Sequence, residues 1–150
     1  MRLFGDPSER AHLSCNLFVV IHDSRGTDAI QKEIRTILKE NPEFPAVYGL
    51  AIQEIEAWVL GDIENVNREV FRIKPFPKLE RSPERDPDPK TTLTEMFVKP
   101  SKHVNFDRWN PDCARAVAPF PRSSQVSSPC PKGFGKFIES LRKNRVLKAR

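Results

Sequence analysis

Two junctions in this chain of 150 residues place carboxylates directly after apolar runs. At the first, Leu17-Phe18-Val19-Val20-Ile21 runs into His22-Asp23-Ser24-Arg25-Gly26. At the second, Ala46 to Ile52 passes into Gln53-Glu54-Ile55-Glu56-Ala57-Trp58. In parallel α/β sheets the ends of strands are where ligands and metals bind. Magnesium takes oxygen ligands, usually only one or two of them carboxylates, and keeps several waters. Asp23 together with Glu54 or Glu56 meets that need if the two strands are neighbours. Such an ion would polarise a phosphoryl oxygen and help to generate hydroxide. Arg25 is placed to reach a phosphate.

Each of these residues also has a structural reading. Asp-Ser-Arg-Gly is good turn chemistry, so Asp23 can be a turn residue or a cap. Glu54 and Glu56 put negative charge at a helix N-terminus, which is stabilising in itself. They lie two apart and cannot share a helix face, so at most one of them points into a site. Trp58 reads as core and Asp62 as a helix cap. An exposed turn arginine such as Arg25 usually does nothing specific. Both readings of Asp23 stay open on the sequence.

The elements that position these groups follow from periodicity. Leu17 to Ile21 and Ala46 to Ile52 are continuous apolar runs of strand length. Between them Ala29, Ile30, Ile34, Ile37 and Leu38 recur at helical spacing, which predicts a helix from Asp28 to Glu40. Gly26, Thr27 and Asp28 offer the turn and cap before it, and Asn41-Pro42 stops it. Strand, helix, strand in this order is a βαβ unit with parallel strands. A helix from Glu54 to Leu60 follows, then a short one from Ile63 to Val70. Five prolines interrupt residues 71–90, too long a stretch for an ordinary connection and therefore a functional or a mobile loop. Asp88-Pro89-Lys90 has the form of a helix start, with Thr91 to Val98 as the helix. A short helix near Asp112 to Val117 and an amphipathic C-terminal helix carrying Phe134, Phe137, Ile138 and Leu141 complete the pattern.

Composition narrows the function classes. No run of eighteen apolar residues occurs, and the start of the chain lacks the apolar stretch of a signal peptide, so a soluble cytoplasmic protein is expected. The net charge is +5, and residues 141–150 hold five basic residues and no acid. Taking those five from the 25 basic residues leaves 20 against 20 acids, a neutral body with a basic tail. Such a tail can bind phosphates, though it is more often the solvated end of a helix. Cys15, Cys113 and Cys130 are far apart, and His12, His22 and His103 show no ligand spacing. This argues against a disulfide framework and against structural zinc. Gly133-Phe134-Gly135-Lys136 lacks the Walker spacing. No nucleophile elbow and no dinucleotide fingerprint is present.

Three segments resemble a bacterial family, domain of unknown function 4276, which is similar to the Toprim superfamily. Glu54-Ile55-Glu56-Ala57-Trp58-Val59-Leu60-Gly61-Asp62 is similar to its Glu-Ala-Trp-Leu-Leu-Ala-Asp signature. Asp88-Pro89-Lys90 is similar to its Pro-Lys helix start. Cys130, Pro131, Phe134 and Phe137 resemble its closing helix. The resemblance implies an α/β fold with a small parallel sheet flanked by helices. The length fits a single domain, taken as Toprim-like over 1–143, and the charge distribution sets off a basic tail over 144–150. The resemblance also implies a magnesium site for phosphodiester chemistry on nucleic acid. Asp23 and Glu56 would be its catalytic pair, Asp23, Glu54 and Glu56 its metal ligands, and Arg25 its phosphate contact. Two departures accompany it. The usual first strand, ending in a glutamate, has no counterpart before Leu17. The Asp-x-Asp strand end appears here as Asp23-Ser24-Arg25, with a cation in place of the second carboxylate. The expectation is therefore a nuclease-like hydrolase with an incomplete metal site. The alternative is a non-catalytic binding or assembly module that partners an ATPase. A missing strand leaves an apolar edge, so a homodimer or a partner complex is expected.

Overall fold

A computed structural model describes residues 17–25, 28–42 and 45–144. Strand β1 (Phe18–Asp23) pairs in parallel with β2 (Ala46–Ala51), from Phe18 opposite Ala46 to Asp23 opposite Ala51. Helix α1 (Asp28–Glu40) connects them, as the βαβ pattern requires. Its end is fixed where expected: the Asn41 side chain donates to the Ile37 carbonyl at 2.7 Å. Tyr48 of β2 lies close enough to Arg35 for that cation to act on its phenol, although burial dominates and raises the phenol pKa.

Alternation along β2 buries Val47, Gly49 and Ala51 on one face. The aromatic residues of the C-terminal helix cover that face. A Cβ on Gly49 would stand 2.7 Å from Phe137, so only glycine lets the ring settle on the strand. Phe137 stacks on Trp58 with ring centroids 5.6 Å apart, and Phe134 meets Trp58 edge-on at 5.0 Å. Offset stacks and edge contacts of this kind add to the burial of the rings themselves. Val19 and Ile21 share this face across the ladder but stay 48% and 41% exposed, because the helix packs on β2.

Helix α2 (Glu56–Leu60) joins this layer to a second, helical core. Trp58 belongs to the sheet side, with Val126 and Cys130, and Leu60 belongs to the helical side. There Val66, Phe71, Leu93, Phe97, Trp109 and Val117 pack together. They come from α3 (Ile63–Val66), α4 (Pro89–Leu93), α5 (Pro111–Val117), the turns that follow α3 and α4, and the segment that leads into α5. Helix α6 (Ser123–Val126) and α7 (Lys136–Lys143) return the chain to the sheet.

Several expected boundaries are corrected. The helix after β2 begins at Glu56, because Gln53 has a positive φ of 66° and breaks the path before it. The helix expected over Ile63 to Val70 turns π-helical over Asn67–Phe71, where the Arg72 N–H donates to the Asn67 carbonyl. The helix expected over Thr91 to Val98 starts at Pro89 and widens into a π-helical turn over Thr94–Val98. Asp88 caps its start, accepting from Thr91 N at 3.0 Å. A third π-helical turn, Pro131–Gly135, leads into α7.

Asp62 caps nothing with its side chain. It accepts from Arg122 Nε, a terminal Arg122 nitrogen and the Arg122 backbone N–H, each at 2.9 Å. The long proline-rich segment is anchored by its own side chains. Phe76 rests against Phe97, and Glu84 accepts from the backbone N–H groups of Lys132 and Gly133. A single short 3-10 turn, Pro83–Arg85, interrupts it.

Candidate functional site

The parallel pairing brings the two carboxylate junctions side by side. The Ser24 N–H donates to the Ala51 carbonyl at 2.8 Å, and the Arg25 N–H to the Gln53 carbonyl at 3.2 Å. Ser24 Oγ accepts from Gln53 N at 2.8 Å. Asp23 Oδ1 accepts from Ile55 N at 2.8 Å, so the first strand's carboxylate caps the entry to α2, 32 residues away. A carboxylate at a helix entry is electrostatically favourable.

Arg25 reaches Glu54, with a guanidinium nitrogen 3.3 Å from Oε1. The arginine side chain is 54% exposed and the glutamate 14%. An ion pair with one partner this open contributes at most about 1 kcal/mol. The second carboxylate oxygen, Glu54 Oε2, is buried and accepts no hydrogen bond from the described residues. Buried oxygens of this kind are uncommon and call for an explanation.

Glu56 takes a different set of partners. It is buried, and its Oε1 accepts from the Trp109 indole N–H at 3.0 Å and lies 3.5 Å from Lys90 Nζ. These contacts form the inner wall of an open cleft of about 740 Å³, whose rim carries Thr94, Lys99 and Arg108. Asp88, which starts the helix bearing Lys90, is held below its ordinary pKa first by the Thr91 N–H. Arg25 and Lys90 add to the effect, against burial.

Asp23, Arg25 and Glu54 thus stand together at one junction, and Glu56 is tied to Lys90 and Trp109. Among the described residues no three Asp, Glu, His or Cys side chains form a group that would hold a metal ion. Each of the three carboxylates accepts from a protein donor, and Glu54 keeps its second oxygen unpartnered among the described residues. The two described cysteines offer no nucleophile. Burial pushes the Cys113 thiol up to about 11, and burial with the nearby Glu84 charge pushes Cys130 up to about 12. Thiols that high are protonated at neutral pH and unreactive.

Comparison with protein-family models, curated proteins and solved structures finds no match to this chain.

The sequence does not point to Trp109 as a partner of Glu56, because it stands in a polar, proline-rich stretch with no periodicity. In the sequence Lys90 reads only as part of a helix start. For Lys90 a signal existed: it shares the Asp-Pro-Lys triplet with the cap, and its partner Glu56 lies in the other conspicuous motif.

Proposed function

We propose that this chain is a non-catalytic binding or assembly module on a Toprim-like α/β core, with its strand-end carboxylates turned to structural use. The observation that carries this reading is the state of those carboxylates. Asp23 caps α2, Glu54 pairs with Arg25, and Glu56 holds Trp109 and Lys90. Arg25 then stands where a second strand-end carboxylate would bind the metal, and supplies positive charge of its own.

The three segments that carry the family resemblance also meet in space, which supports the Toprim-like part of the reading. Glu56 of the first contacts Lys90 of the second. Trp58 of the first stacks on Phe137 of the third, and Cys130 donates to the Ala57 carbonyl. Partners of such a module include an ATPase, a second copy of the chain or nucleic acid. The exposed Val19 and Ile21 give it an apolar contact surface.

One observation favours the second reading, a magnesium-dependent nuclease-like hydrolase. Glu54 Oε2 is buried with no hydrogen-bond partner among the described residues, and an ion there would satisfy it. The test is a magnesium titration of the whole chain followed by NMR chemical shifts, repeated on Asp23→Asn, Glu54→Gln and Glu56→Gln. The module reading expects no site-specific shifts at millimolar magnesium. Saturable shifts at the strand ends that these substitutions abolish would replace it with the hydrolase.

A further inference from the structure

We propose that the cleft at the end of the Asn67–Phe71 turn binds single-stranded nucleic acid, with Phe76 stacking on a base and Arg72 and Lys74 holding the adjoining phosphates. The cleft measures about 580 Å³, and its walls include Arg68, Arg72, Lys74, Phe76 and His103 and, among the described residues, no carboxylate. With acids and bases in balance over most of the sequence, this is a local excess of positive charge. Arg68 is partly committed, its Nε donating to Glu69 at 2.9 Å and another nitrogen to Asn65. Among the described residues, Arg72 and Lys74 have no carboxylate within ion-pair distance.

The site is built before any ligand arrives. Asn67, itself buried, grips Ile73 from both sides: its Oδ1 accepts from Ile73 N at 3.0 Å and its Nδ2 donates to the Ile73 carbonyl at 3.2 Å. Ile73 lies between the two cations, so this clamp sets where both start. Phe76 is 40% exposed, yet its ring centroid lies 6.1 Å from Phe97, which is fully buried and rests in turn on Phe71. One side of the Phe76 ring is therefore seated on the helical core while the rest of it opens to the cleft and solvent. Arg72 has a φ of 55°, the left-handed conformation that suits glycine. The chain carries a guanidinium at a position where the backbone alone favours no side chain.

An aromatic plate flanked by uncompensated cations matches a ligand that presents a flat π-face and a phosphate within one nucleotide. A duplex hides its base faces, and an acidic peptide or a lipid headgroup offers charge without a stacking partner. The proposal names a ligand for the binding-module reading and rests on that reading only for the idea that the chain has a bound partner. The cleft shares no residue with the strand-end junction, so the magnesium titration and the experiment below fail independently.

The experiment is fluorescence anisotropy of the whole chain with a labelled single-stranded oligonucleotide of about 12 nucleotides, within the usual site size for such grooves. EDTA is present throughout. Three competitors accompany it: a duplex of equal length, an abasic strand of equal charge, and vesicles containing anionic lipid. The expected result is salt-sensitive binding to the single strand, about tenfold weaker for the abasic strand and for the duplex. Phe76→Ala lowers affinity for the single strand about tenfold and leaves the abasic strand unaffected, and Phe76→Trp restores it. Arg72→Gly and Lys74→Gln each flatten the salt dependence. Thermal unfolding of every variant separates lost binding from lost fold. Equal affinity for abasic and natural strands, preference for vesicles or duplex, or indifference to Phe76→Ala in a folded protein would each overturn the proposal.

Discussion

Glu56 Oε1 and the Trp109 indole nitrogen stand 3.0 Å apart, joining residues 53 positions apart in sequence within the buried interior. This contact ties α2 to the segment leading into α5, and Lys90 at 3.5 Å supplies the compensating charge. Removing the carboxylate leaves a buried indole donor without an acceptor, which costs about 1–3 kcal/mol. Glu56→Ala is therefore expected to lower the denaturant midpoint, and Glu56→Gln, which keeps an acceptor, to lower it less. Equal losses for the two variants would mean that charge, and not the hydrogen bond, is what Glu56 contributes.

Asp62 gives the fold an acid-sensitive point. Burial alone would raise its pKa, but the hydrogen bonds from Arg122 together with the charges of Arg122 and Arg68 outweigh it and hold the carboxyl below its ordinary value. The folded state thus binds this proton less readily than the unfolded chain. The stabilisation is complete above the ordinary carboxylate pKa of about 4 and is lost as pH falls through the lower folded value. Stability measured by urea unfolding from pH 7 to pH 3 should drop more steeply for the wild type than for Asp62→Asn. At neutral pH, Asp62→Asn should cost about 2 kcal/mol.

Gly133 sits where the C-terminal helix meets the end of β2. A Cβ there would lie 2.8 Å from the Leu50 carbonyl oxygen, 3.1 Å from Ile52 N and 3.2 Å from a Glu84 carboxylate oxygen. Two of these are backbone atoms that cannot swing aside. Gly133→Ala is expected to destabilise by about 1–3 kcal/mol through overpacking. A neutral result in chemical denaturation would show that the helix can lift from the strand without loss.

Arg72 should respond in the opposite sense. Glycine at its left-handed position relieves backbone strain, so Arg72→Gly is expected to raise stability by about 1 kcal/mol. The same change removes a cation from the nucleic-acid cleft. A variant that is more stable and binds more weakly is the combined signature, read by thermal unfolding and anisotropy on one sample.

Val19 and Ile21 should hold a partner. Light scattering across a concentration series is expected to report association of the whole chain, and Val19→Lys with Ile21→Lys to return it to a monomer. A monomeric mass at every concentration in the wild type would assign the exposed strand face to a different partner or to none.

Much of this fold is written locally. The helix Asp28–Glu40 runs over the residues that its periodicity and its Asn41-Pro42 stop indicate, and the two strands pair in parallel as the connection between them demands. The π-helical turns were not legible, because they depend on contacts outside their own segments. Thr94 accepts from Trp109 N at 3.0 Å, and Asn67 binds Ile73 beyond the helix end. For the site, the sequence marks which carboxylates follow strands but not what faces them. Asp23 finds its donor 32 residues on and Glu56 its indole 53 residues on. No spacing rule reaches that far, so the sequence does not say which groups Asp23 and Glu56 face.

The seating of Phe137 on Gly49 carries a consequence for synthesis of the chain. Residues 46–58 emerge early and hold one wall of the sheet core, whereas Val126, Cys130 and Phe137 close that wall only near the end. The helical core, from Leu60 to Val117, has all its parts at hand sooner. A nascent chain therefore exposes a naked apolar ribbon while its helical half is already packing. Such a ribbon invites chaperones and neighbouring chains alike. Slow translation over residues 118–137 would lengthen that window, and a stall there would release a half-built protein whose sheet is open to aggregation.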